Sequence, residues 1–221
     1  MKIDIKGVIV PSSAAKVYAW LGIAHCAPCE VTQALSQTPH GEQVDVYINS
    51  PGGSVPDGSE IYEALRTYDD GPVMIHIVGQ ACSAAAVVAM AARSEMAPTA
   101  LMMVHRASTS TEGNRNDMQH SAEMLETVDN ALCTAFMAKS GMSREAALAM
   151  MDRETWLTAE KAVEQKLVDS ISSPSAENTL MTASDAPLLS PEAVNIARKQ
   201  MQAQQASRAQ AQLDLLKLKG E

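Results

Sequence analysis

Ser83 and His105 are the side chains in this sequence whose types and settings suit covalent chemistry, and a carboxylate would complete them. A serine hydroxyl is a weak nucleophile until a base takes its proton, and an imidazole can do that at neutral pH. A carboxylate then orients the imidazole and stabilises its charged form. The apolar run Val73 to Val78 leads through Gly79-Gln80-Ala81-Cys82 to Ser83, and Ser83-Ala84-Ala85-Ala86 opens a small-residue run to Ala92. Strand, tight turn and helix start would put one hydroxyl at the tip of a buried strand. The helix N-terminus supplies unpaired N–H groups and a positive dipole end, as an oxyanion site requires. Each residue also has an ordinary reading: an N-cap serine, a part-buried strand-end histidine, a solvated loop carboxylate.

The elements that would carry these residues alternate along the chain. Residues 2–10 read as a strand broken by Gly7, 28–38 as a short helix, and 43–49 as a period-two strand. Ser50-Pro51-Gly52-Gly53-Ser54 reads as a turn, and 59–66 as a helix ended by Asp69-Asp70-Gly71-Pro72. Then come strand 73–78, helix 83–92, a strand near 101–104 and a polar loop over 106–116. A long helix is expected over 117–139, with Met118, Ala122, Leu125, Val128 and Leu132 on one face. Ser143-Arg144-Glu145-Ala146 opens the next helix. Thr158 to Glu164 forms another, leading into a strand at Leu167-Val168-Asp169. Strands alternating with helices predict βαβ units, a largely parallel sheet and an α/β class. The candidate pieces would sit where consecutive strands end, the usual site in open α/β sheets.

Composition narrows the function. The 221 residues are 46% hydrophobic and 19% charged, which indicates a globular chain with room for a real core. Aromatics make up only 3% against 14 methionines, so Met, Ala, Val and Leu must fill that core. The net charge of −9 argues against a broad nucleic-acid or anionic-membrane surface. No apolar run reaches the roughly 20 residues of a membrane span, and the start shows no signal-peptide core. A cytoplasmic protein is expected. Cys26-Ala27-Pro28-Cys29 matches a redox C-x-x-C pattern, but no second ligand pair accompanies it, so no metal or other cofactor is expected. Cys82 reads as a small buried apolar residue.

Composition changes after Ile171. Residues 172–190 are rich in Ser, Thr, Ala and Pro and read as a linker; 191–221 read as an Ala/Gln-rich helical tail. The expected organisation is therefore a 1–171 domain, a linker and a tail.

Four stretches together resemble the Clp protease proteolytic-subunit family: Asn49-Ser50-Pro51-Gly52-Gly53, Gly79 to Ala84, Met103-Val104-His105, and Trp156-Leu157-Thr158-Ala159 continuing to Asp169. The resemblance spans roughly residues 40–171. It implies the Clp/crotonase-type spiral fold of repeated ββα units, here with a C-terminal helical extension. It also implies a serine endopeptidase, with Ser83 as nucleophile, His105 as general base, and the N–H groups of Gly53 and Ala84 as oxyanion hole. The family's acid position falls on Glu154, one methylene longer than the family's Asp, and Asp152 competes two residues earlier. Ala84-Ala85 replaces the usual Met-Gly.

The Glu-Thr-Trp variant, the short N-terminal segment and the extended C-terminus are similar to Clp-like phage head-maturation (prohead) proteases. That likeness implies capsid or scaffold protein as substrate and an ATP-independent endopeptidase. It also implies a homo-oligomeric ring acting in the host cytoplasm within assembling heads, with neither nucleic acid nor membrane as partner. The alternatives are a housekeeping-type Clp subunit fed by an ATP-dependent unfoldase, a Ser-Lys signal-peptide-peptidase relative, a crotonase-fold acyl-CoA enzyme, and a non-enzymatic scaffold protein. The lack of a membrane segment and of a Lys in a matching strand-end position counts against the signal-peptide-peptidase relative, and the Ser83/His105 pair against the last two.

Overall fold

In β1 (Lys2–Ile9), Ile3 and Ile5 point into the core while Lys2, Asp4 and Lys6 face outward, the alternation that a half-covered strand requires. This computed structural model describes residues 1–173 together with Lys199, Ala203, Ala206 and Ser207. After β1 come α1 (Ala15–Trp20), β2 (His25–Cys26), α2 (Pro28–Ser36), β3 (Val44–Gly53), α3 (Val55–Arg66), β4 (Val73–Cys82) and α4 (Ala84–Val88). The chain continues through β5 (Arg93–Met96), β6 (Leu101–Val104), α5 (Arg115–Ser140), α6 (Arg144–Asp152), β7 (Thr155–Leu157), α7 (Ala159–Glu164) and β8 (Ser170–Ile171). Met1–Ser173 forms one compact unit. The linker and most of the tail helix expected from the sequence lie outside the described residues; Lys199, Ala203, Ala206 and Ser207 are helical and exposed.

The strands form one sheet in the order β2-β1-β3-β4-β5-β8, parallel throughout. β4 is long enough for two neighbours on one edge: Met74–Ile77 pair with β5, and Gln80–Cys82 pair with β6. β7 then pairs antiparallel with β6. This is the mixed α/β, parallel-sheet architecture that the sequence predicts. Val44, Val46 and Ile48 of β3 and Ile75 and Ile77 of β4 are buried under the helices. Full burial of one such side chain stabilises by about 1.5–3 kcal/mol. The opposite face carries Asp45, Tyr47, His76 and Glu95, with His76 ring nitrogens hydrogen-bonded to both carboxylates. No helix among the described residues is long and apolar enough to cross a membrane.

Several local readings change. Ser50 to Gly53 is not a turn but the end of β3, paired through Val8↔Gly52 and Ile9↔Gly53. Gly79 to Cys82 likewise continues β4. Glycines suggest turns when seen in sequence; here Gly52 and Gly53 let β3 pass close to the backbone of Cys82 and Ile9, and Gly79 leaves room for the Asn49 side chain. The helix expected over 83–92 stops at Val88, because i→i−3 bonds from Met90 and Ala91 turn the chain toward β5. Leu167 to Asp169 is not a strand, although Leu167 and Val168 are buried; pairing begins at Ser170. α1, β2, β5 and β7 are too short to give a periodic signal in the sequence.

α5 departs most informatively from its expected stripe. Its fully buried residues are Asp129, Cys133, Ala135 and Phe136 in the C-terminal half. The first half, 115–127, has none, and Met118 and Met124 are 42% and 44% exposed. Asn114 caps the helix, its side chain accepting from Asn116 and Asp117 N–H, and Gly141 ends it in the left-handed conformation.

Candidate active site

The site begins with β3. Ser50 is buried, donates its hydroxyl to Gly7 O at 2.6 Å and accepts from Gly52 N–H at 3.0 Å. That pins the bulged ends of β1 and β3 together. Gly52 follows at φ 93°, where a Cβ would lie 2.7 Å from Ser83 Cβ and 2.6 Å from Cys82 O. Only glycine lets β3 approach the end of β4 this closely. Gly53, at φ 150°, is packed as closely on Ile9.

β4 delivers Ser83 in an uncommon backbone conformation, φ 56° and ψ −125°. A non-glycine residue there carries roughly 1–3 kcal/mol of strain. The surroundings enforce it: Ser83 N–H donates to Met103 O at 2.8 Å, while Ser83 O accepts from Ala86 N–H at 2.9 Å. The ordinary N-cap reading is excluded, because the Ser83 side chain makes no capping bond. Its Oγ lies 2.8 Å from His105 Nε2 instead. With the neutral imidazole protonated at Nδ1, the hydroxyl donates to Nε2, the arrangement a general base needs. The Ser83–Met103 backbone bond sets this distance, since His105 is two residues beyond Met103. Ala84 begins α4, and its N–H has no backbone acceptor among the described residues. A narrow cleft lined by Val55, Ser83, Ala84 and His105 opens here.

The two candidate acids occupy different surroundings. Among the described residues, neither is hydrogen-bonded to His105. Glu154 lies in the bend before β7 at φ 48°, with Oε1 accepting from Trp156 Nε1–H at 3.4 Å. The β6–β7 ladder ends with Val104 paired to Thr155, the residues next to His105 and Glu154 in sequence. Glu154, exposed, thus lies just before an antiparallel strand paired with β6, rather than at a strand end as expected. Asp152, the last residue of α6, is held by Arg106 through two bonds of 2.7 and 2.9 Å. That ion pair keeps the Asp152 carboxyl below its ordinary range.

Two residues here escaped the sequence reading. Arg106 looked like the start of a polar loop. Asp129 is a carboxylate only 5% exposed, accepting from Ala107 N–H at 2.7 Å and Arg106 Nη1 at 3.2 Å. One signal was present: Asp129 lies four residues from both Leu125 and Cys133, inside the apolar stripe of its helix.

Cys26 and Cys29 are both free thiols, the first buried and the second exposed. Burial, with Glu30 and Cys29 adding to it, pushes the Cys26 thiol up to about 12, far from the thiolate that redox chemistry uses. Burial also raises the Cys82 thiol. No cluster among the described residues suits a metal ion.

A parallel α/β sheet that ends one strand on a strained serine, with an imidazole on its hydroxyl, defines a serine–histidine centre. The chain belongs to the Clp protease family, a family of serine-type peptidases, which residues 29–175 match. It is similar to the ATP-dependent Clp protease proteolytic subunit of Bacteroides fragilis, 29% identical over 140 residues, covering 62% of this chain and 67% of that protein. The subunit of the same description from Deinococcus radiodurans is 30% identical over 146 residues, 65% of this chain and 71% of that protein. The Bacteroides thetaiotaomicron subunit is 29% identical over 140 residues, 62% of this chain and 63% of that protein. The chain thus matches roughly two thirds of these relatives' length.

Proposed function

We propose that this protein is a serine endopeptidase in which Ser83 is the nucleophile, His105 the general base and Glu154 the orienting acid. The observation that carries the reading is the 2.8 Å contact between His105 Nε2 and Ser83 Oγ on a strained strand-to-helix junction. Ser83 Oγ attacks the scissile carbonyl and its proton passes to His105 Nε2. The oxyanion is received by the N–H groups of Ala84 and Gly53. His105 then protonates the departing amine, and water, activated by the same imidazole, releases the acyl group.

The substrate we favour is capsid or scaffold protein processed without ATP during phage head maturation. The sequence likeness around Glu154-Thr155-Trp156 and the extended C-terminal segment support it. A second reading is a proteolytic subunit working with an ATP-dependent unfoldase, favoured by the description of the relatives. In either reading the subunits assemble into a ring. The half-exposed Met118 and Met124 on the first half of α5 offer an apolar surface for that contact.

A fluorophosphonate probe tests the chemistry: it should label the protein at Ser83 and leave Ser83→Ala unlabelled. Labelling that persists in Ser83→Ala would remove the assignment. Coat protein incubated with the enzyme, with and without ATP and an unfoldase, separates the two substrate readings. Cleavage without ATP supports the first.

A further inference from the structure

Arg106 is the hinge of a charge chain that ties three parts of the site together. Its Nε and Nη2 form a fork on Asp152 at 2.7 and 2.9 Å, and its Nη1 reaches Asp129 Oδ2 at 3.2 Å. The other oxygen of Asp129 accepts from Ala107 N–H at 2.7 Å. The Asp129 side chain is 7% exposed, that of Arg106 32% and that of Asp152 58%, so the chain runs from the core to the surface beside the site. Bidentate guanidinium–carboxylate pairs fix orientation as well as charge. Through Asp129, α5 grips the backbone two residues after His105. Through Asp152, the end of α6 is held two residues before Glu154.

We propose that Arg106 is a positioning residue that holds His105 and the Glu154 bend in register by bridging Asp129 and Asp152. The inference rests on the peptidase reading above and extends it. It gives Asp152 a role distinct from that of triad acid: support for the residue that supplies the imidazole. A misplacement of about 1 Å in a catalytic constellation can lower the rate about 10²-fold without changing what binds.

The test is the inactivation of purified full-length protein by a fluorophosphonate, resolved into the maximal rate and the half-saturating concentration. Wild type, Ser83→Ala, Arg106→Gln, Asp152→Asn and the Arg106→Gln/Asp152→Asn double variant are compared, with thermal melting of each. Asp152 is exposed, so Asp152→Asn tests the bridge without disturbing the buried Asp129. The expected result is a maximal rate lowered about tenfold to 10²-fold in both single variants. The half-saturating concentration should stay within about twofold, and the double variant should be no slower than the slower single. In the pH profile the plateau should fall with its midpoint unmoved, as lost alignment predicts. Wild-type rates in Arg106→Gln or Asp152→Asn, or multiplied losses in the double variant, would overturn the positioning role while leaving the peptidase reading intact. Wild-type protein that is not labelled at Ser83 would overturn both.

Discussion

Gly52 lies against Ser83 so closely that a Cβ on the glycine would sit 2.7 Å from the serine Cβ. The end of β3 thereby acts as the back wall of the Ser83 turn. Gly52→Ala should force β3 away from Cys82 and Ser83 and strain a residue at φ 93°. Overpacking of this kind destabilises by about 1–3 kcal/mol. Probe labelling at Ser83 should fall by at least about 10²-fold, since the displaced backbone carries the proposed oxyanion donor. Thermal melting and labelling kinetics check both effects, and a fully active Gly52→Ala would disprove the wall.

Strain at Ser83 predicts a trade between stability and activity. Glycine accepts φ 56° freely, so Ser83→Gly should raise stability by about 1 kcal/mol while abolishing labelling and peptidase activity. Ser83→Ala keeps the strain and should gain less. Denaturant titration of the three proteins decides; a less stable Ser83→Gly would show that the serine side chain contributes more packing than strain.

Glu154→Gln should lower the catalytic rate by up to about 10⁴-fold, the loss expected when a histidine is deprived of its orienting carboxylate. Asp152→Asn should be far milder, because its carboxylate is engaged with Arg106. The reverse order in peptide-hydrolysis rates would transfer the acid to Asp152.

Asp169 links stability to pH. Burial works against its charged form, but Lys139, the Ser94 N–H and the Ser94 hydroxyl outweigh it, and the carboxyl lies below the ordinary value of 3.8. A depressed carboxyl contributes stability above the unfolded value, and that contribution fades as pH falls through the folded one. Asp169→Asn should therefore melt lower than wild type at pH 7, and the gap should narrow steadily below about pH 4. A gap independent of pH would mean that the ionised Asp169 carboxylate contributes nothing.

Ser83 and His105 were legible in the sequence because each is marked by its own neighbours. An apolar strand passes into a run of alanines at one, and an apolar strand ends at the other. Such signals are local, and local backbone preference is what sequence patterns report. Tertiary structure decided how these pieces meet. Gly52 and Gly53 read as a turn, yet they form a strand end, because the ladder to β1 supplies partners that no short window reveals. β7 is three residues long, and only its pairing with β6 sets Thr155, next to Glu154, against Val104, next to His105. Asp129 is 22 residues beyond Ala107, and its carboxylate can be buried only because folding brings an N–H and a guanidinium to it. The proposed reacting groups are therefore written in short segments of sequence. Their alignment comes from long-range hydrogen bonds, whose partners become neighbours only once the sheet has closed.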